Sequence, residues 1–255
     1  ITHDAQDPRG YNQYATEEYL NRGLIDEGEL NRGHCIRSDY INYVLHQSFE
    51  NLGLNHIDIY YLHNPELYLT HVGEEIFYKE LAKTFQILEK AVDDGKIGAY
   101  GMGTWDGFRS LPDKNFYQSI EKTVNVAKAV AGNKHHFKAL QFPFNILKPE
   151  AFKLKNQKIE NKMFTLFEAT KKFSIYSFIS GSVLQGENIP ENVSQEIKKI
   201  DSKASLVGKM IQLAYSSSNN CTALVGMRQT HHVDDAIIAS KENFLNKNLF
   251  EKIYK

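Results

Sequence analysis

Residues 51–66, NLGLNHIDIYYLHNPE, decide the fold. A helix ending in Leu-Gly gives way to HIDIYYLH, a β-branched and aromatic run in which Ile57, Ile59, Tyr60, Tyr61 and Leu62 suit a buried strand. Upstream, Tyr40, Val44, Leu45, Phe49 and Leu52 recur at helical spacing, with Ser38 or Asp39 to cap the start and Gly53 to end the last turn. Downstream, a second helix over about 74–93 carries the stripe Phe77, Leu81, Phe85, Leu88 and Val92. Gly95 stops it, and KIGAYGMG reads as the next strand. Buried strands joined through amphipathic helices are parallel βαβ units.

The alternation continues outward from this core. A helix near 115–131 leads to FKALQF, one near 161–171 to FSIYSFI, and a longer helical region over 192–217 to CTALVG. Short helices are expected from His231 and from Glu242. Strand starts near Ile57, Ile97, Phe137, Phe173 and Thr222 are spaced by about 41 residues on average, as in a β/α barrel. The reading is one domain over 1–255: a long irregular segment over 1–37, βα units over 39–240 and a C-terminal helix over 241–255. Eight units of that size need roughly 330 residues, more than this chain supplies.

Composition narrows the class of function. The chain has 255 residues, 42% hydrophobic and 24% charged, which excludes a wholly disordered chain or a fibre. Thirty Lys and Arg balance 31 Asp and Glu, so no overall field points to nucleic acid. No apolar run reaches the roughly 18–20 residues that span a bilayer. The start, ITHDAQDPRG, lacks the basic and apolar parts of a signal peptide. Two distant cysteines, Cys35 and Cys221, suit a reducing compartment. A cytoplasmic protein with no membrane and no nucleic-acid partner is expected.

In parallel β/α folds ligands bind beyond the carboxyl ends of the strands. The residues there are His63-Asn64-Pro65-Glu66, Gly103-Thr104-Trp105, Gln141, the stretch from Tyr176 to Ser182, and Gly226-Met227-Arg228. A histidine, an amide, an aromatic face and an arginine beside a helix start suit an anionic cofactor held by its phosphates and stacked on a ring. The plainer reading makes His63 a packing residue, Tyr176 a core aromatic and Arg228 a solvated cation. Trp105 walls the substrate pocket or simply packs. The adjacent pairs His135-His136 and His231-His232 diverge and make no helical metal site, so no metal is expected. Cys35 beside His34 has no third partner that would make it a nucleophile.

Five segments together resemble the aldo-keto reductase family. NLGLNHIDIYYLHNPE is similar to that family's signature helix and strand closing on histidine. LEKAVDDGKIGAYGMGTW (88–105) resembles its next unit, and ALQFPFN (139–145) the strand that carries a glutamine. YSFISGSVLQG (176–186) aligns without gaps with the family's Tyr-Ser-Pro-Leu-Gly-x-Gly-Leu-Leu-x-Gly. ALVGMRQTHHVDDA (223–236) resembles its last strand and cofactor-closing helix. The matches fall in family order over about 39–240, the fourth to eighth units of a (β/α)8 barrel.

The resemblance implies NADP(H)-dependent reduction of an aldehyde or ketone, a small-molecule carbonyl substrate. It makes His63 the catalytic residue that hydrogen-bonds the substrate carbonyl. Gln141 and Thr104 would hold the nicotinamide carboxamide, with Thr104 standing where the family usually has asparagine and Gly103 where serine is common. Tyr176 would stack on the nicotinamide, and Ser177, Ile179 and Ser182 would meet the pyrophosphate. Gly226, Met227, Arg228 and His232 would close on the adenosine end, Thr230 capping the helix there and Arg228 pairing with a 2′-phosphate. Asn64 and Trp105 fall to the substrate pocket. His232 stands where the family often has arginine and Ala236 where it has asparagine, so the adenosine end has fewer contacts than usual.

The family's aspartate, proton-donating tyrosine and lysine belong to earlier strands and have no counterpart here. Tyr11, Tyr14 and Tyr19 do not map onto the proton donor. The first three strands are therefore expected to be absent from this chain, as in a piece of a longer protein. The alternative is a nucleotide-binding or regulatory remnant of the family. An unrelated phosphate-binding barrel such as an aldolase ranks last, because no strand-end lysine supports it.

Overall fold

A computed structural model describes residues 11–254, with side chains from Gln13 onward. It divides into two compact units, one up to Ala139 and one from Leu140.

The first unit begins with α1 (Tyr11–Ala15), a π-helical turn (Thr16–Leu20) and α2 (Glu27–Arg32). These lie where the sequence reads as irregular. The signal for α2 is local: Asp26 accepts from the Glu29 N–H, and the Glu29 carboxylate accepts from the Asp26 N–H, each at 2.8 Å, a reciprocal capping box. Tyr19 is buried edge-on against Tyr14, Tyr40 and Tyr43. Then follow α3 (Ser38–Leu52), β1 (Ile57–His63), α4 (Pro65–Val72), α5 (Glu74–Asp93), β2 (Ile97–Gly103) and α6 (Ile120–Ala131). Gly53 ends α3 in the left-handed region at φ 63°, as expected, whereas its N-cap is Arg37 with no side-chain bond rather than Ser38 or Asp39. Strand β3 (Phe137–Pro143) carries the boundary between the units.

β1 and β2 pair in parallel over Ile57↔Ile97 to His63↔Gly103, and the Tyr100 N–H donates to the His136 carbonyl at the start of β3. The α5 stripe packs on them. Phe77, Leu81, Phe85 and Leu88 have no exposed surface, and Phe85 meets Tyr100 at 4.9 Å and Phe137 at 5.5 Å between ring centroids. Burial of such side chains contributes about 1.5–3 kcal/mol each. β1 departs from expectation: only Leu62 is buried, and Ile57, Ile59, Tyr60 and Tyr61 are partly exposed. The reason is that among the described residues β1 has one neighbour, β2, so it is an edge strand.

The second unit holds the rest of β3, then α7 (Glu150–Lys153), the hairpin β4 (Gln157–Ile159) and β5 (Lys162–Phe164), and α8 (Leu166–Lys172). β6 (Tyr176–Ser180), α9 (Glu191–Lys198), α10 (Leu206–Tyr215), β7 (Cys221–Ala223), α11 (Thr230–Ser240) and α12 (Lys247–Ile253) complete it. The expected helix over 192–217 is thus two helices, and the last helix starts at Lys247 rather than Glu242. β6 lies beside β3 and pairs in parallel with β7 over Ser177↔Cys221 to Ile179↔Ala223. Its core is aromatic: Phe142 and Phe144 pack on Phe167 at 5.5 and 5.0 Å, and Tyr254 lies 5.3 Å from Phe144. No helix among the described residues is long and apolar enough to cross a membrane.

Candidate active site

In the first unit, the carboxyl ends of β1 and β2 lie side by side. His63 pairs in register with Gly103, and the Asn64 N–H donates to the Gly103 carbonyl at 2.6 Å. Asn64 takes left-handed backbone (φ 44°), which turns the chain sharply into α4 at Pro65. The His63 ring stacks on His34 at 5.8 Å and 26°, and its outer edge is exposed. Partial burial lowers its pKa, so the imidazole is neutral at pH 7, with an N–H to offer to an oxygen. The Nδ1–H of His34 donates to the Arg32 carbonyl at 2.9 Å.

Thr104 follows directly on β2. It is 4% exposed, and its hydroxyl, fully buried, has no hydrogen-bond partner among the described residues. Such a group costs about 1–3 kcal/mol when left unpaired. Trp105 comes next, half-buried. Its N–H donates to the Glu66 carboxylate at 2.6 Å, and its carbonyl accepts from Arg109 Nε at 2.9 Å. Sequence reasoning assigned no role to Glu66 or Arg109. A Pro-Glu pair at a helix start signals the helix, but nothing in the sequence marks a carboxylate or guanidinium as buried.

In the second unit, Gln141 is half-buried near the carboxyl end of β3. β6 begins at Tyr176, later than the expected start near Phe173. Tyr176 lies four residues before the strand's carboxyl end at Ser180, about 13 Å away at strand rise. Its hydroxyl donates to the Cys221 carbonyl at 3.0 Å. The ring is exposed and its hydroxyl is engaged with the main chain of β7. Ser177 is committed elsewhere: it is fully buried, with its hydroxyl on Thr170 Oγ1 of α8 at 3.2 Å. Ile179 is fully buried in the packed core. The residues that do leave the carboxyl end of β6 are Ser180, Gly181 and Ser182. Ser182 is buried and donates to the Leu224 carbonyl at 2.9 Å.

Beside that turn lies a cavity of about 420 Å³, lined by residues of 181–183, 185–187 and 224–226, with Ile189, Val207 and His232. Gly226, Met227 and Arg228 are exposed on the segment between β7 and α11. A Cβ built on Gly226 would meet nothing within 4 Å. The N-cap of α11 is Gln229, not Thr230, and the His232 ring reaches back to the Gln229 N–H at 3.4 Å. His232 therefore serves its own helix end. Among the described residues no three His, Cys, Asp or Glu side chains gather as a metal site.

Residues 30–254 match the family described as the aldo/keto reductase family. Compared by sequence with curated proteins, the chain has no match. Its structure is similar to a thermostable aldo-keto reductase solved with the inhibitor epalrestat (TM-score 0.64, 14% identity, 86% of this chain, 66% of that one). It is also similar to a glycerol dehydrogenase from Gluconobacter oxydans (0.59, 15%, 86% and 64%). A third likeness is to an aldo-keto reductase from Klebsiella pneumoniae in complex with NADPH (0.57, 15%, 82% and 63%). The chain thus spans about two thirds of the length of these structures, and the likeness shows the β/α-barrel fold.

Proposed function

Because this chain belongs to the aldo/keto reductase family, we propose that it is an oxidoreductase that uses NADP(H) to reduce the carbonyl of an aldehyde or ketone. The observation that carries the reading is the placement of His63 at the carboxyl end of β1, in register with Gly103 at the end of β2, with Thr104 following directly. The Thr104 hydroxyl can both donate and accept, which fits a carboxamide. His63 would donate to the substrate oxygen and stabilise the charge that develops there. When bound, the nicotinamide supplies the reducing equivalents.

In the second unit, Gln141, half-buried near the carboxyl end of β3, has the amide that the family resemblance assigns to a nicotinamide carboxamide. At the carboxyl end of β6, Ser180, Gly181 and Ser182 would meet the cofactor, with Tyr176 the ring that the resemblance assigns to the nicotinamide. Gly226 lets main chain approach the phosphates, and exposed Arg228 would pair with a 2′-phosphate, favouring NADP(H) over NAD(H). Asn64 and Trp105 border the substrate. Among the described residues none takes the part of the family's proton-donating tyrosine, so this chain alone is expected to turn over far below about 1 s⁻¹.

The test is a titration of the chain with NADPH, followed by cofactor fluorescence, together with oxidation of NADPH by simple aldehydes. Binding that weakens at least tenfold with NADH supports the reading. No binding of either cofactor at millimolar concentration refutes it.

A further inference from the structure

The turn that follows β2 is held from both sides by buried polar side chains. Glu66, 3% exposed, accepts from the N–H groups of Trp105 at 2.6 Å and Asp106 at 3.2 Å. Arg109, 4% exposed, donates from Nε to the Trp105 carbonyl at 2.9 Å and from Nη2 to Asp106 Oδ1 at 2.8 Å. The peptide units on either side of the Trp105 α-carbon are thus fixed by two different buried side chains. Gly107 closes the turn. Its carbonyl accepts from the Gln118 N–H at 2.7 Å, and a Cβ there would lie 2.5 Å from Gln118 Oε1 and 3.2 Å from Glu66 Cβ.

Burying a carboxylate is a poor route to stability, since desolvation offsets much of the gain. The Glu66 carboxyl bears that mark: burial pushes its pKa up, against the pull of the N–H groups it accepts from. What such an arrangement supplies is placement, as in sites where supporting residues lock a working side chain. We propose that Glu66 and Arg109 are positioning residues that hold Trp105 as a fixed apolar wall of the substrate pocket, selecting carbonyl compounds with a flat apolar substituent. The substrate clause rests on the reductase reading above; the clamp itself does not.

Trp105 is the only tryptophan, so its emission reports on this turn alone. Glu66→Ala should raise acrylamide quenching of Trp105 in the full chain about twofold by loosening the turn. Glu66→Gln keeps an acceptor oxygen in place and should restore the wild-type value. Glu89→Gln, at a buried carboxylate elsewhere in the unit, should leave it unchanged. If Glu66→Ala fails to fold, Glu66→Asp, too short to reach both N–H groups, takes its place.

Quenching that is unmoved in a folded Glu66 variant, or moved equally by Glu89→Gln, overturns the clamp. With NADPH present, Trp105→Ala and Glu66→Ala should weaken benzaldehyde binding about tenfold, glyceraldehyde binding changing less than twofold. Equal losses for both aldehydes, or none, overturn the wall. Failure of NADPH to bind the wild-type chain defeats the reductase reading, and the quenching series still decides the clamp.

Discussion

Gly101→Ala is the sharpest test of the strand packing beneath the site. A Cβ at Gly101 would lie 2.3 Å from the Ala139 carbonyl oxygen and 2.8 Å from the Ala139 side chain. Relieving the oxygen contact needs a movement of about 1 Å, because non-bonded carbon contacts favour roughly 3.5 Å or a little less for oxygen. Neither strand is free to give it. Gly101 is held in register with Tyr61, and the adjacent Tyr100 N–H bonds the His136 carbonyl at 3.0 Å. A 1 Å displacement carries that bond beyond hydrogen-bond range. One or two strained bonds at about 1 kcal/mol each, added to about 1–3 kcal/mol for overpacking, give about 3–5 kcal/mol. For a chain of this size that lowers Tm by about 10 °C.

Urea and thermal unfolding followed by circular dichroism measure the change. Gly226→Ala, where the new methyl meets nothing within 4 Å, is the control and should stay within about 0.5 kcal/mol. A Gly101→Ala protein within about 1 kcal/mol of wild type refutes the close approach of β2 and β3.

Three further outcomes follow from single groups. Thr104→Val removes a buried hydroxyl that has no partner among the described residues, so stability should hold or rise by about 1 kcal/mol while NADPH affinity falls about fivefold; a loss of stability on equilibrium unfolding argues against the orphaned hydroxyl. Tyr176→Phe loses the bond to the Cys221 carbonyl but keeps the ring, and should cost about 1 kcal/mol with NADPH affinity unchanged; a tenfold loss of affinity in the titration argues that the hydroxyl, not the ring, meets the cofactor. Burial would raise the Glu89 carboxyl, but bonds from the His136 ring, the His136 N–H and the Tyr100 hydroxyl outweigh it and hold its pKa below the ordinary value. The resulting stability is present in full above the unfolded carboxyl's pKa of about 4.3 and is lost as pH falls through the lower folded value. Glu89→Gln should flatten that acid limb in denaturation curves taken from pH 7 to pH 3.

Elements whose cause is local were legible in the sequence. The α5 stripe and Gly53 ended and faced as read, because helical period and a left-handed glycine act within a few residues. The start of β6 was misread for a specific reason. Ser174 takes left-handed backbone at φ 54°, the conformation glycine usually provides after a helix, so nothing marked the boundary between α8 and the strand. Reading the strand from Phe173 placed its start three residues too early. Exposure of β1 was not legible either, since burial of a strand depends on neighbours far away in the chain. Glu66 and Arg109 escaped for the same reason: their partners are peptide groups of a turn some 40 residues on from Glu66 and 4 residues back from Arg109.

The brevity of β7 has a dynamic consequence. Three residues pair it to β6, against the six register pairs that join β1 and β2. Amide protons should therefore exchange soonest around 221–226 and latest along β1 and β2, because local opening is easiest where few bonds must break. The segment that carries Gly226 and Arg228 leaves from that least protected strand. A phosphate seated there would slow exchange through the whole of β7, so that occupancy of the cofactor end can be followed as the tightening of a strand rather than as an event at any single side chain.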